Sequence, residues 1–364
     1  MLLSGILQYL DEQAPFALQE NYDNSGLIIG GQNTEIHSAL ICLDITEETM
    51  QEAVDRKCDL VISHHPMIFQ GLKRITGLTA TERLVALAIR ENIAVIALHT
   101  NLDNHPSGVN RLLCQKLDIL NPRILRPMEG QLRKLVTFCP KSHADRVRSA
   151  LFAAGAGHIG NYDSCSFNSN GRGSFRALSG SNPFVGVLNE LHFEEEERME
   201  VIYPQYIEKQ LLTSLVASHP YEEVAYDIYP LSNRIPNAGA GMIGELASPL
   251  DPSEYLNKVK MTLSLGCLRH TELPDKMISK IAVCGGSGSF LIGDALSAGA
   301  DLYLTGDIKY HDFFIPEKRM LLADIGHYES EQFTKELIYT LLKKKFPTFA
   351  LLISETLTNP VNYL

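Results

Sequence analysis

Two stretches far apart in the chain share one spacing. Cys42 stands 17 residues before Asp59, and Cys284 stands 17 before Asp301 (59 − 42 = 301 − 284). At the resulting offset of 242, Asp59-Leu60-Val61-Ile62-Ser63 aligns with Asp301-Leu302-Tyr303-Leu304-Thr305. Each stretch reads as strand, helix, strand and then a polar loop, so the chain is expected to contain a diverged internal repeat. Short β-branched runs extend the pattern. Strands are expected over 39–44, 59–63 and 93–98, with helices over 46–57 and 80–91. In the second half strands are expected over 280–284, 301–305 and 320–324, with helices over 290–298 and 329–345. Strands alternating with helices build parallel sheets covered by helices, so the fold class is α/β.

Between the halves the texture changes. Strands over 134–139, 162–167, 190–203 and 223–229 frame helices over 143–155 and 205–218, with a Gly/Ser/Asn-rich stretch over 168–182. That is the β-α-β-β-α-β order of a ferredoxin-like unit, which can bury its own core. The expected organisation is a first half at 1–126, a ferredoxin-like α+β insert at 127–235 and a second half at 236–364. At 364 residues the chain has length enough for two cores.

Composition removes several functions. A net charge of −11 leaves no general electrostatic footprint for nucleic acid or an anionic membrane. No apolar run is of bilayer length, and the N-terminus lacks the basic start of a signal peptide, meeting Asp11 and Glu12 early. The 7 cysteines are odd in number and form no CxxC pair, which argues against a disulfide frame or a thiolate zinc site and for a reducing, cytoplasmic compartment.

The chemistry sits after predicted strands. Ser63-His64-His65-Pro66 follows one directly, and Pro66 argues that the strand has ended, so neighbouring imidazoles can converge. The next strand end carries His99 and Asp103. In the second half Gly326-His327-Tyr328-Glu329-Ser330-Glu331 opens a helix, with His327 and Glu331 four apart on one face. Carboxyl ends of strands are where open α/β sheets bind ligands. His64, His65, Asp103, His327 and Glu331 therefore read as metal ligands. A set without cysteine suits Zn, Mn or Fe, and its size suits two divalent ions better than one tetrahedral zinc. Singly, each is more often a surface or helix-face residue; jointly, the metal reading wins. His99, Asp307 and His311 are candidates for proton transfer, with His105 also near the proposed rim.

Other motifs read more plainly. Gly239-Ala240-Gly241-Met242-Ile243-Gly244 fits GxGxxG without a preceding strand and is expected to be a turn at the domain junction. Cys284-Gly285-Gly286-Ser287-Gly288-Ser289 lacks a P-loop lysine but could cradle a phosphate on its N–H groups. The run Glu194-Glu195-Glu196-Glu197 reads as a solvated strand edge.

These motifs resemble those of the NIF-three-like family of dinuclear-metal proteins, whose bacterial members are often called GTP cyclohydrolase 1 type 2 homologues. The resemblance covers about 1–125 and 236–364, and rests on Asp23-Asn24-Ser25-Gly26-Leu27, Ser63-His64-His65-Pro66, His99-Thr100-Asn101-Leu102-Asp103, Thr305-Gly306-Asp307 and Gly326-His327-Tyr328-Glu329-Ser330-Glu331. Matched motif to motif, it places the family's ligands on His64, His65, Asp103, His327 and Glu331. Tyr22 departs from the pattern, which usually has Trp before Asp-Asn. The insert resembles a PII/CutA-like domain, on Gly171-Arg172-Gly173-Ser174-Phe175 and His219-Pro220-Tyr221-Glu222-Glu223. The resemblance implies a metal-dependent hydrolase in which metal-activated water attacks the purine ring of GTP, working as a homohexameric toroid. The alternatives are a metal-dependent phosphoesterase or amidohydrolase acting on another small molecule, and a non-catalytic metal-binding regulator.

Overall fold

A computed structural model describes residues 1–364. The chain resolves into two compact units, Met1–Pro127 with Asn237–Leu364, and Met128–Pro236. The first unit begins with α1 (Leu3–Gln13), β1 (Gly26–Ile29), β2 (Ser38–Cys42), α2 (Glu47–Asp55), β3 (Leu60–Ser63), α3 (Ala80–Arg90), β4 (Ala94–Ala97), α4 (Thr100–Asp103), α5 (Val109–Lys116) and β5 (Leu120–Met128). The second contains β6 (Leu132–Pro140), α6 (Ala144–Ala153), β7 (Phe167–Arg176), β8 (Leu191–Pro204), α7 (Glu208–Ser218) and β9 (Tyr226–Leu231). The chain then runs through β10 (Ile235–Leu250), α8 (Pro252–Thr262), β11 (Arg269–His270), β12 (Ile278–Ser287), α9 (Ile292–Ser297), β13 (Leu302–Gly306), β14 (Leu321–Asp324), α10 (His327–Glu331), α11 (Thr334–Lys345) and β15 (Ala350–Ile353).

The first unit holds two sheets, ordered β1-β4-β3-β2-β15 and β11-β14-β13-β12-β10-β5. Their centres repeat in register. Ala39 pairs with Leu60 across β2 and β3, and Ile281 with Leu302 across β12 and β13, both parallel. Both members are displaced by the same number (281 − 39 = 302 − 60 = 242). β3, β4 and β14 are buried along their whole length and are apolar except for Ser63 and Asp324 at their carboxyl ends, as strands covered by helices on both faces should be. Thr46 and Thr79 accept the N–H groups of Thr49 and Glu82, fixing the starts of α2 and α3.

Three expectations are corrected here. The helix expected over 329–345 is two helices, α10 and α11, broken at Gln332 and Phe333. Gln332 donates to the carbonyls of Leu263 and Glu329, and Phe333 packs on the core around Leu263 and Val259; these anchors turn the chain. The glycine-rich stretch over 239–244 lies inside strand β10 rather than a junction turn. A Cβ at Gly239 would overlap the Arg126 carbonyl, so the glycine permits close approach of β5. The split into halves is also incomplete. β15 returns to the first sheet beside β2, and Ile338 and Leu342 of α11 join the core of Leu3, Ile6 and Leu10.

In the second unit the sheet order is β7-β8-β6-β9, all antiparallel, with α6 and α7 on one face over Leu135, Met199, Val201 and Tyr203. This is the ferredoxin-like order. The second strand is misplaced by sequence reading: 162–167 gives only a bridge from Tyr162 to Ile159, and the glycine-rich stretch itself forms β7. Glu194 to Glu197 lie in β8, which is central, not an edge, and Glu196 is 9% exposed. No helix is long and apolar enough to cross a membrane.

Candidate metal centre

The carboxyl ends of both parallel strand sets converge. β3 delivers His64 and His65, β4 delivers His99 and, through the single turn of α4, Asp103. β13 delivers Asp307, and β14 leads through Gly326 to His327 and Glu331 on α10. Residues more than two hundred positions apart thus meet. His64 Nε2 lies 3.7 Å from Asp103 Oδ1 and 3.7 Å from Glu331 Oε1. The other oxygen, Glu331 Oε2, lies 3.0 Å from His65 Nε2 and 3.1 Å from His327 Nε2. Glu331 therefore faces His64 and Asp103 with one oxygen, and His65 and His327 with the other.

Each imidazole is oriented from behind. His64 Nδ1 donates to the Leu98 carbonyl at 2.7 Å, His65 Nδ1 meets Asp44 at 2.7 Å, and His327 Nδ1 meets Asp307 at 2.7 Å. A proton held on Nδ1 leaves Nε2 a bare lone pair aimed inward, which is how metal-binding histidines are usually fixed. His64 Nε2, Asp103 Oδ1 and Glu331 Oε2 are buried without a partner in hydrogen-bond geometry. Buried polar atoms are rarely left so. Acceptor atoms converging on one another in this way suit a cation, and the donor types, three imidazoles with two carboxylates, fit divalent metals.

Titration behaviour follows from this crowding. At His65 burial opposes the charged ring, but the neighbouring carboxylates of Asp44 and Glu331 outweigh it and raise the ring to about 9. His327 is likewise lifted to about 11, against burial, by Asp307 and Glu331. Burial and the Glu331 charge push Asp103 up. Glu331, despite its burial, is held well below the ordinary range by His64, His327 and His65. Positive charge is wanted at the centre.

Residues 1–360 of the chain match the family model described as Duf34/NIF3 (NGG1p interacting factor 3). The chain belongs to the Duf34/NIF3 family. Among similar proteins, a "GTP cyclohydrolase 1 type 2 homolog" of Bacillus subtilis is 39% identical over 99% of this chain and 98% of its own length. One of the same name from Halalkalibacterium halodurans is 36% identical, over 99% and 98%. The crystal structure of a Bacillus cereus protein related to NIF3 superposes with a TM-score of 0.84 at 34% identity, covering 100% of this chain and 99% of that one.

In this Duf34/NIF3 chain the five sequence-predicted ligands all reach the cluster. His99 joins them, its ring 5.3 Å from those of both His64 and His65. Asp307 stands behind His327. His311 does not join: it is exposed on the short turn 310–314, edge-on to Tyr310. His105 caps its own loop by accepting the Ser107 N–H. In the glycine-rich stretch 284–289, most of which lies at the end of β12, the N–H groups of Gly285 and Gly286 donate to Asn110 and Ser330 and so are not free for a phosphate. Gly286, at φ 62°, instead leaves room for Glu331, whose Oε1 a Cβ there would overlap.

Sequence reading passed over Asp23 and Asp44. Asp23 is fully buried at its side chain and accepts from Ser25, the Asn24 N–H, the Thr100 N–H and hydroxyl, and His99. These bonds overcome its burial and hold it far below the usual carboxylate range. Asp44 supports His65 and accepts from Thr358. The signal for Asp44 was its position, one residue beyond Leu43 at a parallel strand's carboxyl end.

Beside the centre lies a cleft of about 630 Å³, bordered by His65, His327, Phe69, Arg269, Tyr328 and Tyr363.

Proposed function

We propose that the chain is a metal-dependent hydrolase holding two divalent cations, one among His64, Asp103 and Glu331 and one among His65, His327 and Glu331. The observation that carries this reading is the division of the two Glu331 oxygens between the two groups of ligands. Cations of this class make water nucleophilic near neutral pH and polarise the group it attacks. His99 is set to handle the proton. Its Nδ1 is engaged by an ionised Asp23, so its Nε2 presents a lone pair beside His64 and His65. Zn, Mn and Fe all fit the donor set.

A nucleotide of the GTP type is the proposed substrate. The cleft's volume is within the range of small-molecule sites, its aromatic border suits a planar ring, and the names of the related proteins point the same way. The test is formate release from GTP by metal-loaded protein, with metal content measured in parallel. Turnover that His65→Ala abolishes supports the reading. Cleavage of generic phosphoesters alone would move it to a phosphoesterase. Full metal content with no turnover on either would leave a metal-binding regulator. We also propose self-association as a homohexamer, which would cover exposed apolar side chains such as Leu78 and Met261, 80% and 81% exposed; light scattering gives the mass.

A further inference from the structure

The two signatures of the insert, separated by more than forty positions, line one cavity of about 640 Å³ in the second unit. It lies on the sheet face away from α6 and α7, since Glu196 and Arg198 alternate with the helix-facing Glu197 and Met199 along β8. Its polar centre is Glu196, 9% exposed, whose Oε1 accepts from the Tyr221 hydroxyl at 2.9 Å. Gly173 on β7, which pairs with Glu194, leaves room for this placement, because a Cβ there would overlap the Glu196 carboxylate as it stands. His219 locks the facing loop: its Nε2 donates to the Phe138 carbonyl at 3.0 Å, while its Nδ1 accepts the Tyr221 N–H at 3.1 Å. Rings of Phe175 and Phe184 stand 5.9 and 6.4 Å from Tyr221. A further bond, from the Asn182 N–H to Glu222, ties the Phe184 loop to this one.

Charge changes along the cavity. Two residues beyond Glu196 on the same face is Arg198, which shares the single carboxylate of Glu200 with Lys134. Two cations on one carboxylate leave net positive charge at that end. We infer that this cavity binds a planar heteroaromatic anion of the guanine-nucleotide type, its paired N–H donors on Glu196, its ring among Tyr221, Phe175 and Phe184, and its anionic group toward Arg198. An ionised carboxylate accepts on both oxygens, at about four lone-pair sites, and offers no donor. It therefore selects an edge with adjacent N–H groups and rejects adenine, whose corresponding edge places a ring acceptor beside one amino group. Stacking on aromatic rings and pairing with guanidinium supply the remainder.

The test is calorimetric titration of the full-length, metal-loaded protein with GMP, IMP, AMP and inorganic phosphate. In the insert, GMP is expected to bind at one site per chain, over and above any nucleotide taken up beside the metal centre, with IMP several-fold weaker for lack of its amino group and AMP at least tenfold weaker. Glu196→Gln, which restores a donor beside an acceptor, is expected to weaken GMP at least tenfold and to narrow or reverse the preference over AMP. Loss of a merely structural group would weaken both alike. Arg198→Ala is expected to weaken GMP and leave guanosine unchanged. The same titration on Glu331→Ala is expected to retain the Glu196-dependent GMP site at unchanged affinity, because that site lies in the insert and not at the metal centre. Equal binding of GMP and AMP, no binding of either, binding lost in Glu331→Ala, or a groove shown by crosslinking to be covered by a second copy of the chain would each overturn the inference.

Discussion

The two β-α-β units of the first unit share a backbone register and differ in what they place at its end. Counting on by 242, His65 corresponds to Asp307, Asp44 to Gly286 and Glu52 to Asp294. In the first half the loop position is an imidazole aimed at the centre, supported by Asp44; in the second it is a carboxylate that supports His327. The position that orients a ligand in one half makes room for Glu331 in the other. The duplicated scaffold therefore fixes where side chains stand, and each residue decides the chemistry. Symmetry of the frame does not extend to the site.

The largest test removes the one residue both groups of ligands share. Glu331→Gln is expected to reduce metal content from about two ions per chain to fewer than one, a larger loss than the 10–100-fold in affinity that changes behind the ligands bring. Elemental analysis after dialysis reads it directly; retention of two ions would end the shared-carboxylate account.

Next come the two supports. Asp44→Asn and Asp307→Asn should each weaken metal binding about 10–100-fold. Asp44 should cost more, since the His65 side chain is 16% exposed and that of His327 is 37% exposed and more open to water. Competition with a chelator ranks them, and the reverse order would show the second-half support to be the stronger.

Much of this was legible in the sequence because parallel strands in such sheets advertise themselves as apolar runs, and because polar residues just beyond them have few roles other than at the rim. His64, His65, Asp103, His327 and Glu331 were read that way, and their side chains do come together in the fold. Glycine-rich strands were not. β7 reads as a loop by composition, and is a strand because its backbone pairs along its whole length with β8. β15 was also missed, and its place beside β2 goes with the packing of α11 on the core of the first half. The break between α10 and α11 was equally invisible, since Gln332 and Phe333 are ordinary helix residues until their partners across the fold are known.

Gly286→Ala probes the position where the halves differ most. At φ 62° a Cβ is strained, and here it would also collide with Glu331. Strain and overpacking together predict a loss of about 2–4 kcal/mol. The thermal midpoint should fall, and metal should be lost with it. An alanine tolerated with two ions in place would mean that Glu331 has another rotamer from which to reach both groups of ligands.

The smallest effect concerns the C-terminal return that only the first half receives. Glu52 accepts from Ser354, Thr356 and the Glu355 N–H as well as Arg56. Burial would raise its carboxyl, but these donors outweigh it and lower it to about 2 from 4.5. A depressed folded value means the stabilisation is full above about pH 4.5 and disappears as pH falls toward 2. Glu52→Gln should therefore cost about 1–2 kcal/mol at pH 7, a difference from the parent that narrows steadily on acidification below about 4.5. Its counterpart Asp294 has a side chain 36% exposed and a single guanidinium 3.8 Å away, a pairing of the kind worth under about 1 kcal/mol. Asp294→Asn should leave the urea midpoint unchanged across the same range of pH. If the two variants behaved alike, the C-terminal segment would not be anchored through Glu52, and the asymmetry between the halves would be confined to the ligands themselves.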